Sequence, residues 1–178
     1  NIKNIIRSNK IKFNKCLIVA DKKVPKINLS ILKNNIQCKT KLIHLFNSSE
    51  KNKNLESINK ILDKLLINNF NRNDCIICLG GGVTGDVSSF AASIFKRGLK
   101  FINVPTTLLS QIDSSIGGKT GINNKYGKNL VGSFFQPDLV VSDINLLKSL
   151  PKREIICGYG EILKHSLISK NKTFDFLN

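Results

Sequence analysis

Methionine and tryptophan are absent from these 178 residues, tyrosine occurs twice, and 12 acidic residues stand against 28 lysines and arginines. With Asn1 at its start and no methionine anywhere, the chain reads as a piece of a longer protein or a processed product. No apolar run approaches the ~20 residues that span a bilayer, and no signal-peptide succession of basic, apolar and small-residue regions opens the chain. The expectation is a cytoplasmic protein with no membrane partner. The net charge of +16 raises the question of nucleic acid. However, the lysines are scattered among asparagines and isoleucines, the chain offers few aromatics for stacking, and no helix-turn-helix or RNA-binding signature accompanies them. No nucleic-acid partner is expected, whereas an anionic small substrate suits such a field.

Cysteine is present but unhelpful as a scaffold. Five cysteines are an odd number, and a disulfide framework is not expected in a cytosolic chain. Cys75 and Cys78 form a C-x-x-C inside "DCIICLG", which reads as a buried strand whose residues three apart point to opposite faces. No second pair exists to complete a zinc site there. Cys16 and Cys157 read as small core residues.

What is present is an alternation. The runs Lys15 to Ala20, Lys41 to Phe46, Cys75 to Gly80, Lys100 to Pro105 and Asp138 to Asp143 read as strands. Leu55, Ile58, Ile61, Leu62, Leu65 and Leu66 recur at helical spacing behind Asn54, a good N-cap. A second helix is expected after Gly85, with Val87, Phe90, Ala91 and Ile94 on one face. Strand, helix, strand, helix predicts an α/β fold with a mostly parallel sheet, and 41% hydrophobic residues in this length suffice for one domain with a core. After Pro105 the chain turns dense in Gly, Ser, Thr, Asn and Lys and reads as a long polar loop, the kind that usually carries function. From Pro151 on, a helix is expected with Ile155, Ile162 and Leu163 on its packing face.

Gly80, Gly82 and Gly85 have the G-x-G-x-x-G spacing between an apolar run and a helix. Such glycines let backbone N–H groups approach a pyrophosphate at a helix N-terminus, and a plain strand-to-helix turn would look the same. No acidic residue ends the next strand, "KFINVP"; Asp86 follows the last glycine directly. Lys119 and Lys128 lie in glycine-flanked loops where an ammonium and backbone N–H groups converge on anions, but "GGKT" lacks the spacing of a triphosphate-binding loop. Thr106 and Thr107 read either as ligand contacts or as a helix cap. Glu161, Lys164 and His165 share one helix face, either as metal ligand and anion-binding lysine or as a solvated ion pair. His165 has a ligand spacing from Glu161, yet a lone histidine at a helix end is more often a surface residue.

Taken in series, "GGGVTGD", "KRG", "FINVPTTLLSQIDSSIGGKTGIN", "GKNLVGSFFQP", "LLKSLPKRE" and "GYGEILKHSLI" resemble the 3-dehydroquinate synthase family of sugar-phosphate cyclases, over about half the chain. The resemblance implies a Rossmann-like NAD-binding sheet with helices on both faces in residues 1–150, and in residues 151–178 the first helix of a truncated α-helical C-terminal domain for metal and substrate. Gly81, Gly82, Val83, Gly85 and Asp86 match the family's NAD turn. Asp21, Glu50, Lys53, Thr106, Thr107, Lys119 and Lys128 match further NAD contacts, as do Leu146, Leu147, Lys148 and Ser149. Ser48 and Ser49 stand where the family has Asp-Gly. Asp113, Lys119, Lys128, Asn129 and Lys164 match substrate positions, and Arg97 an arginine offered to the neighbouring subunit's substrate phosphate, which implies a homodimer. Glu161 matches the ligand of the zinc or cobalt ion; the two remaining ligands are histidines of the C-terminal domain, and neither His44 nor His165 matches them.

The implied reaction is the conversion of 3-deoxy-D-arabino-heptulosonate 7-phosphate to 3-dehydroquinate and phosphate in the shikimate pathway. Transient oxidation by bound NAD is followed by phosphate elimination, return of the hydride, and intramolecular aldol closure. Three alternatives remain at this stage. They are a sister cyclase acting on sedoheptulose 7-phosphate or glucose 6-phosphate, a metal-dependent polyol dehydrogenase, and a non-enzymatic basic binding protein.

Overall fold

The computed structural model describes residues 2–169. A short helix α1 (Ile2–Ser8) leads into β1 (Lys15–Asp21), α2 (Lys26–Asn35), β2 (Thr40–Phe46), α3 (Leu55–Ile67), β3 (Cys75–Gly80), α4 (Gly82–Ile94) and β4 (Lys100–Pro105). A hairpin of β5 (Lys119–Asn124) and β6 (Gly127–Phe134) follows, then the short strand β7 (Leu139–Val140) and α5 (Lys152–Ile168). Five strands form one parallel sheet in the order β2-β1-β3-β4-β7, and β5 and β6 pair antiparallel beside it.

Side-chain alternation explains why both faces of the sheet need helices. On β1 and β3, Leu17, Val19, Ile76 and Cys78 enter one core with Ile58, Ile61 and Leu65 of α3 and Val87 and Phe90 of α4. Their neighbours Cys16, Ile18, Ala20, Cys75, Ile77 and Leu79 enter the other, with Ile6 of α1 and Leu32 of α2. Strands apolar on both sides are what a parallel sheet covered twice requires. The two C-x-x-C thiols thus lie in opposite cores, as period two dictates, and burial pushes the Cys78 thiol up to about 12.

Asn54 caps α3 as expected, its side chain accepting from the Ser57 N–H at 3.0 Å. Other expectations change. The segment after Pro105 is not one long loop: Thr107 starts a helical turn at Ser110–Ser114, and the β5–β6 hairpin follows. Its strand pattern was hidden because small residues face each other there, with Gly121 opposite Gly132 and Thr120 opposite Ser133. The strand expected from Asp138 to Asp143 pairs only at Leu139–Val140. Asp138 instead uses its carboxylate to accept the Phe101 N–H at 2.8 Å. Cys157 is exposed rather than part of the core; it lies on α5, where Gly158 and Ser166 are the buried residues. The continuation expected to residue 178 lies, from residue 170 on, outside the described residues. No helix among those described is long and apolar enough to cross a membrane.

Candidate active site

A sheet ordered 2-1-3-4-5 has its switch point between β1 and β3, and a crevice opens there at the carboxyl ends of the strands. Here that crevice is a cleft of about 770 Å³. Asp21 from the end of β1, Gly81 and Gly82 after β3, Thr106 and Thr107 after β4, and Leu146 and Ser149 near the start of α5 all reach its wall.

The glycine turn is dictated by close approach rather than by unusual dihedrals. A Cβ on Gly81 would meet Thr107 Cγ2 at 2.9 Å, and one on Gly82 would meet Ser114 Oγ at 3.0 Å. Gly81 is the N-cap of α4 and has no side chain with which to cap it. The first N–H groups of a 13-residue helix, with the positive end of its dipole, therefore face the cleft as an anion site.

Across from this turn lies a charged network. Lys53, 6% exposed, pairs with Asp86 at 2.5 Å and donates to Asn129 Oδ1 at 2.6 Å. Burial raises the Asp86 pKa, which the Lys53 ammonium opposes and Glu50 reinforces. Asp21 accepts from the Lys23 N–H at 2.9 Å and from Ser48 Oγ at 2.6 Å. Ser48 therefore anchors the end of β1 through a hydroxyl. Thr107 accepts the Ser110 N–H at 3.2 Å and so acts as a cap, while Thr106 is buried beside it.

The structure brings a second group together at one end of the cleft. Asp113, on the cleft wall, has a carboxylate oxygen within 4.8 Å of ligand atoms of both Glu161 and His165 on α5. Glu161 is ion-paired with Lys164 and lies 3.2 Å from His165 Nε2. The Lys164 ammonium is the main reason the Glu161 carboxyl lies below its usual range. The helical spacing thus forms the ion pair, and the fold adds Asp113 from a different element. His165, which sequence patterning left as a surface residue, belongs to this cluster. Two carboxylates and an imidazole are a donor set that suits a divalent transition metal.

Not every candidate reaches the cleft. Gly85, Leu147 and Lys148 lie on elements that border it, but they do not line it. Lys119 and Lys128 are exposed on the hairpin, where the Asn129 side chain reaches the Lys53 ammonium. Arg97 is exposed in the turn after α4 at φ 66°, away from the cleft. His44 is half-buried on β2, its pKa lowered first by burial and then by Lys64. One residue not singled out in the sequence joins the network: Asn123, which bridges Glu50 and Asn129. It sits in a strand too polar to be read as one.

Known proteins share this architecture and much of the sequence. The family profile for the 3-dehydroquinate synthase N-terminal region matches residues 43–157. A 3-dehydroquinate synthase of Pelagibacter ubique is 63% identical over 180 aligned positions, which take in 99% of this chain and 48% of that protein. The crystal structure of a 2-deoxy-scyllo-inosose synthase complexed with carbaglucose-6-phosphate, NAD+ and Co2+ is 29% identical, with a TM-score of 0.89 over 96% of this chain and 47% of its own. A 2-epi-5-epi-valiolone synthase from Streptomyces hygroscopicus, with NAD+ and Zn2+ bound, is 30% identical, with a TM-score of 0.83 over 92% of this chain and 46% of its own. This chain therefore spans about half the length of the relatives it matches. The profile match over residues 43–157, on a fold with a glycine turn at a switch-point cleft and Glu161 on the helix beside it, places the chain in the 3-dehydroquinate synthase family.

Proposed function

We propose that these residues are the cofactor-binding half of a 3-dehydroquinate synthase, which converts 3-deoxy-D-arabino-heptulosonate 7-phosphate to 3-dehydroquinate and phosphate. The observation that carries this reading is the 63% identity, across nearly the whole chain, to a curated enzyme of that name. Residues 1–150 make the cofactor unit, and residues from 151 on open the domain that completes the metal site. The working protein is a homodimer in which exposed Arg97 serves the neighbouring subunit's substrate phosphate.

The cleft fits NAD, because open N–H groups at Gly81 to Val83 suit a pyrophosphate, with Asp21, Glu50, Lys53, Asp86, Thr106, Thr107, Leu146 and Ser149 around it. Helix α5 offers zinc or cobalt the Glu161 carboxylate, and histidines outside these residues supply the further ligands. When bound, NAD takes up and returns a hydride, and the metal polarises the hydroxyl being oxidised. The chain's own residues do the positioning. Lys119, Lys128 and Asn129 hold the sugar phosphate from the hairpin, and Lys164, released from Glu161, meets the substrate carboxylate as a point charge. Asp113 lies where a carboxylate can accept a proton from a hydroxyl held between the cleft and α5.

The test is phosphate release by the full-length protein with catalytic NAD and zinc. Release from 3-deoxy-D-arabino-heptulosonate 7-phosphate alone, without net NADH, is expected. Release from sedoheptulose 7-phosphate or glucose 6-phosphate would indicate a sister cyclase, and net NADH without phosphate a dehydrogenase.

A further inference from the structure

Asn123 takes no regular place in the hairpin ladder, yet every polar atom of its side chain is used. Ile122 stands opposite Val131 and Asn124 opposite Gly127, with an irregularity between them. At that irregularity the Asn123 N–H donates to the Lys53 carbonyl at 2.8 Å. Its Nδ2 donates to Glu50 Oε2 at 2.8 Å and to the Glu50 carbonyl at 3.3 Å, and its Oδ1 accepts the Asn129 N–H at 3.0 Å. Asn129 in turn accepts from Lys53 Nζ at 2.6 Å, which closes a ring of contacts through Asn123, Glu50, Lys53 and Asn129.

The ring has a geometric purpose that ordinary strand pairing would not serve. Asn129 is held at φ 57°, a left-handed conformation that only a few per cent of non-glycine residues adopt. Its N–H then points to the Asn123 carboxamide. If Asn129 relaxed to extended backbone, it would re-aim its own side chain and that of Lys128. Lys53 lies at the junction, with Asp86 on one side and Asn129 on the other.

We propose that Asn123 is a positioning residue, which locks the β5–β6 hairpin to the Glu50–Lys53 turn and so holds Asn129 against the Lys53 ammonium at the edge of the cleft. The inference rests on the function proposed above, since it assigns the cleft to the cofactor and the hairpin to the substrate. Asn123 itself touches neither; it couples the elements that do.

The experiment compares Asn123→Ala, Asn129→Ala and the double variant in the full-length protein. It measures KM and kcat for 3-deoxy-D-arabino-heptulosonate 7-phosphate, NAD affinity by calorimetry, and thermal stability. Asn123→Ala is expected to raise KM on the order of tenfold and to weaken NAD about threefold, the loss of one or two hydrogen bonds to charged or strained partners. In the Asn129→Ala background it should add less than about twofold to KM, because residues acting through one another are not additive. Full additivity would overturn the proposal, and so would a lower melting temperature with KM and NAD affinity unchanged. If the unsubstituted protein binds NAD but releases no phosphate, the function reading fails and the NAD titration alone decides the positioning role. Absence of NAD binding would overturn both.

Discussion

Lys53 carries a charge that is almost wholly shielded from water, and it survives there because Asp86 and Asn129 together satisfy its ammonium. A buried cation of this kind costs several kcal/mol to desolvate and is tolerated only with good partners. Asp86 depends on it in return: burial pushes the carboxyl up, and Lys53 is what pulls it down. Lys53→Met therefore leaves a carboxylate without its counter-ion. Because the Asp86 side chain remains 20% exposed, a loss of about 1–3 kcal/mol of folding stability is expected rather than the full cost of a buried unpaired charge. Urea unfolding measures it, and adding Asp86→Asn should recover part of the loss, as coupled partners do. Equal and additive losses would mean that the pair contributes nothing.

Among the elements, the β5–β6 hairpin combines an exposed second strand with a backbone too tight for side chains. Nearly every residue of β6 is exposed, so little side-chain burial holds it. Its register depends instead on two facing glycines. A Cβ on Gly132 would stand 2.0 Å from the Thr120 carbonyl oxygen and 2.7 Å from the Gly121 Cα, both backbone atoms that no rotamer change can move. Gly132→Ala is expected to cost about 2–4 kcal/mol and to part the two strands, since overpacking against backbone cannot relax locally. Chemical denaturation reads the stability. Loss of NAD affinity in the same variant would show that the hairpin's position reaches the cleft through Lys53. A neutral result would mean that the hairpin is held by something other than its ladder. Helix α5 docks by a similar device, with Gly158 against Leu108, and this contact brings Glu161 to Asp113.

At the scale of the whole molecule, the cleft and the Glu161 cluster on α5 belong to different parts of the chain and meet through Asp113. The cleft is lined by strand ends and turns of the parallel sheet, whereas the candidate ligand cluster sits on an exposed helix where Lys164 already pairs with Glu161. Catalytic zinc takes three protein ligands and keeps one position open. Residues 1–178 alone, supplied with NAD, zinc and the heptulosonate phosphate, are accordingly expected to give no turnover in a phosphate-release assay. Measurable turnover would mean that Asp113 and His165 complete the site with Glu161 by themselves.

Residue order was sufficient for the alternation of strands and helices, because buried parallel strands are short continuous apolar runs and α3 carries its own cap at Asn54. The glycine turn and the shared face of Glu161, Lys164 and His165 were also legible, since each is a local pattern read over a few residues. The hairpin escaped because its strands pair through glycine, threonine and serine, which show no hydrophobic period. Asn123 and the approach of Asp113 to Glu161 escaped for a different reason. Both depend on contacts across long sequence separations, 73 residues in the case of Asn123 and Glu50. Nothing local distinguishes an asparagine that solvates a surface from one that ties a hairpin to a cleft wall. Only the packed sheet, by setting which strand ends share a crevice, decided which of the many lysines and asparagines face one another.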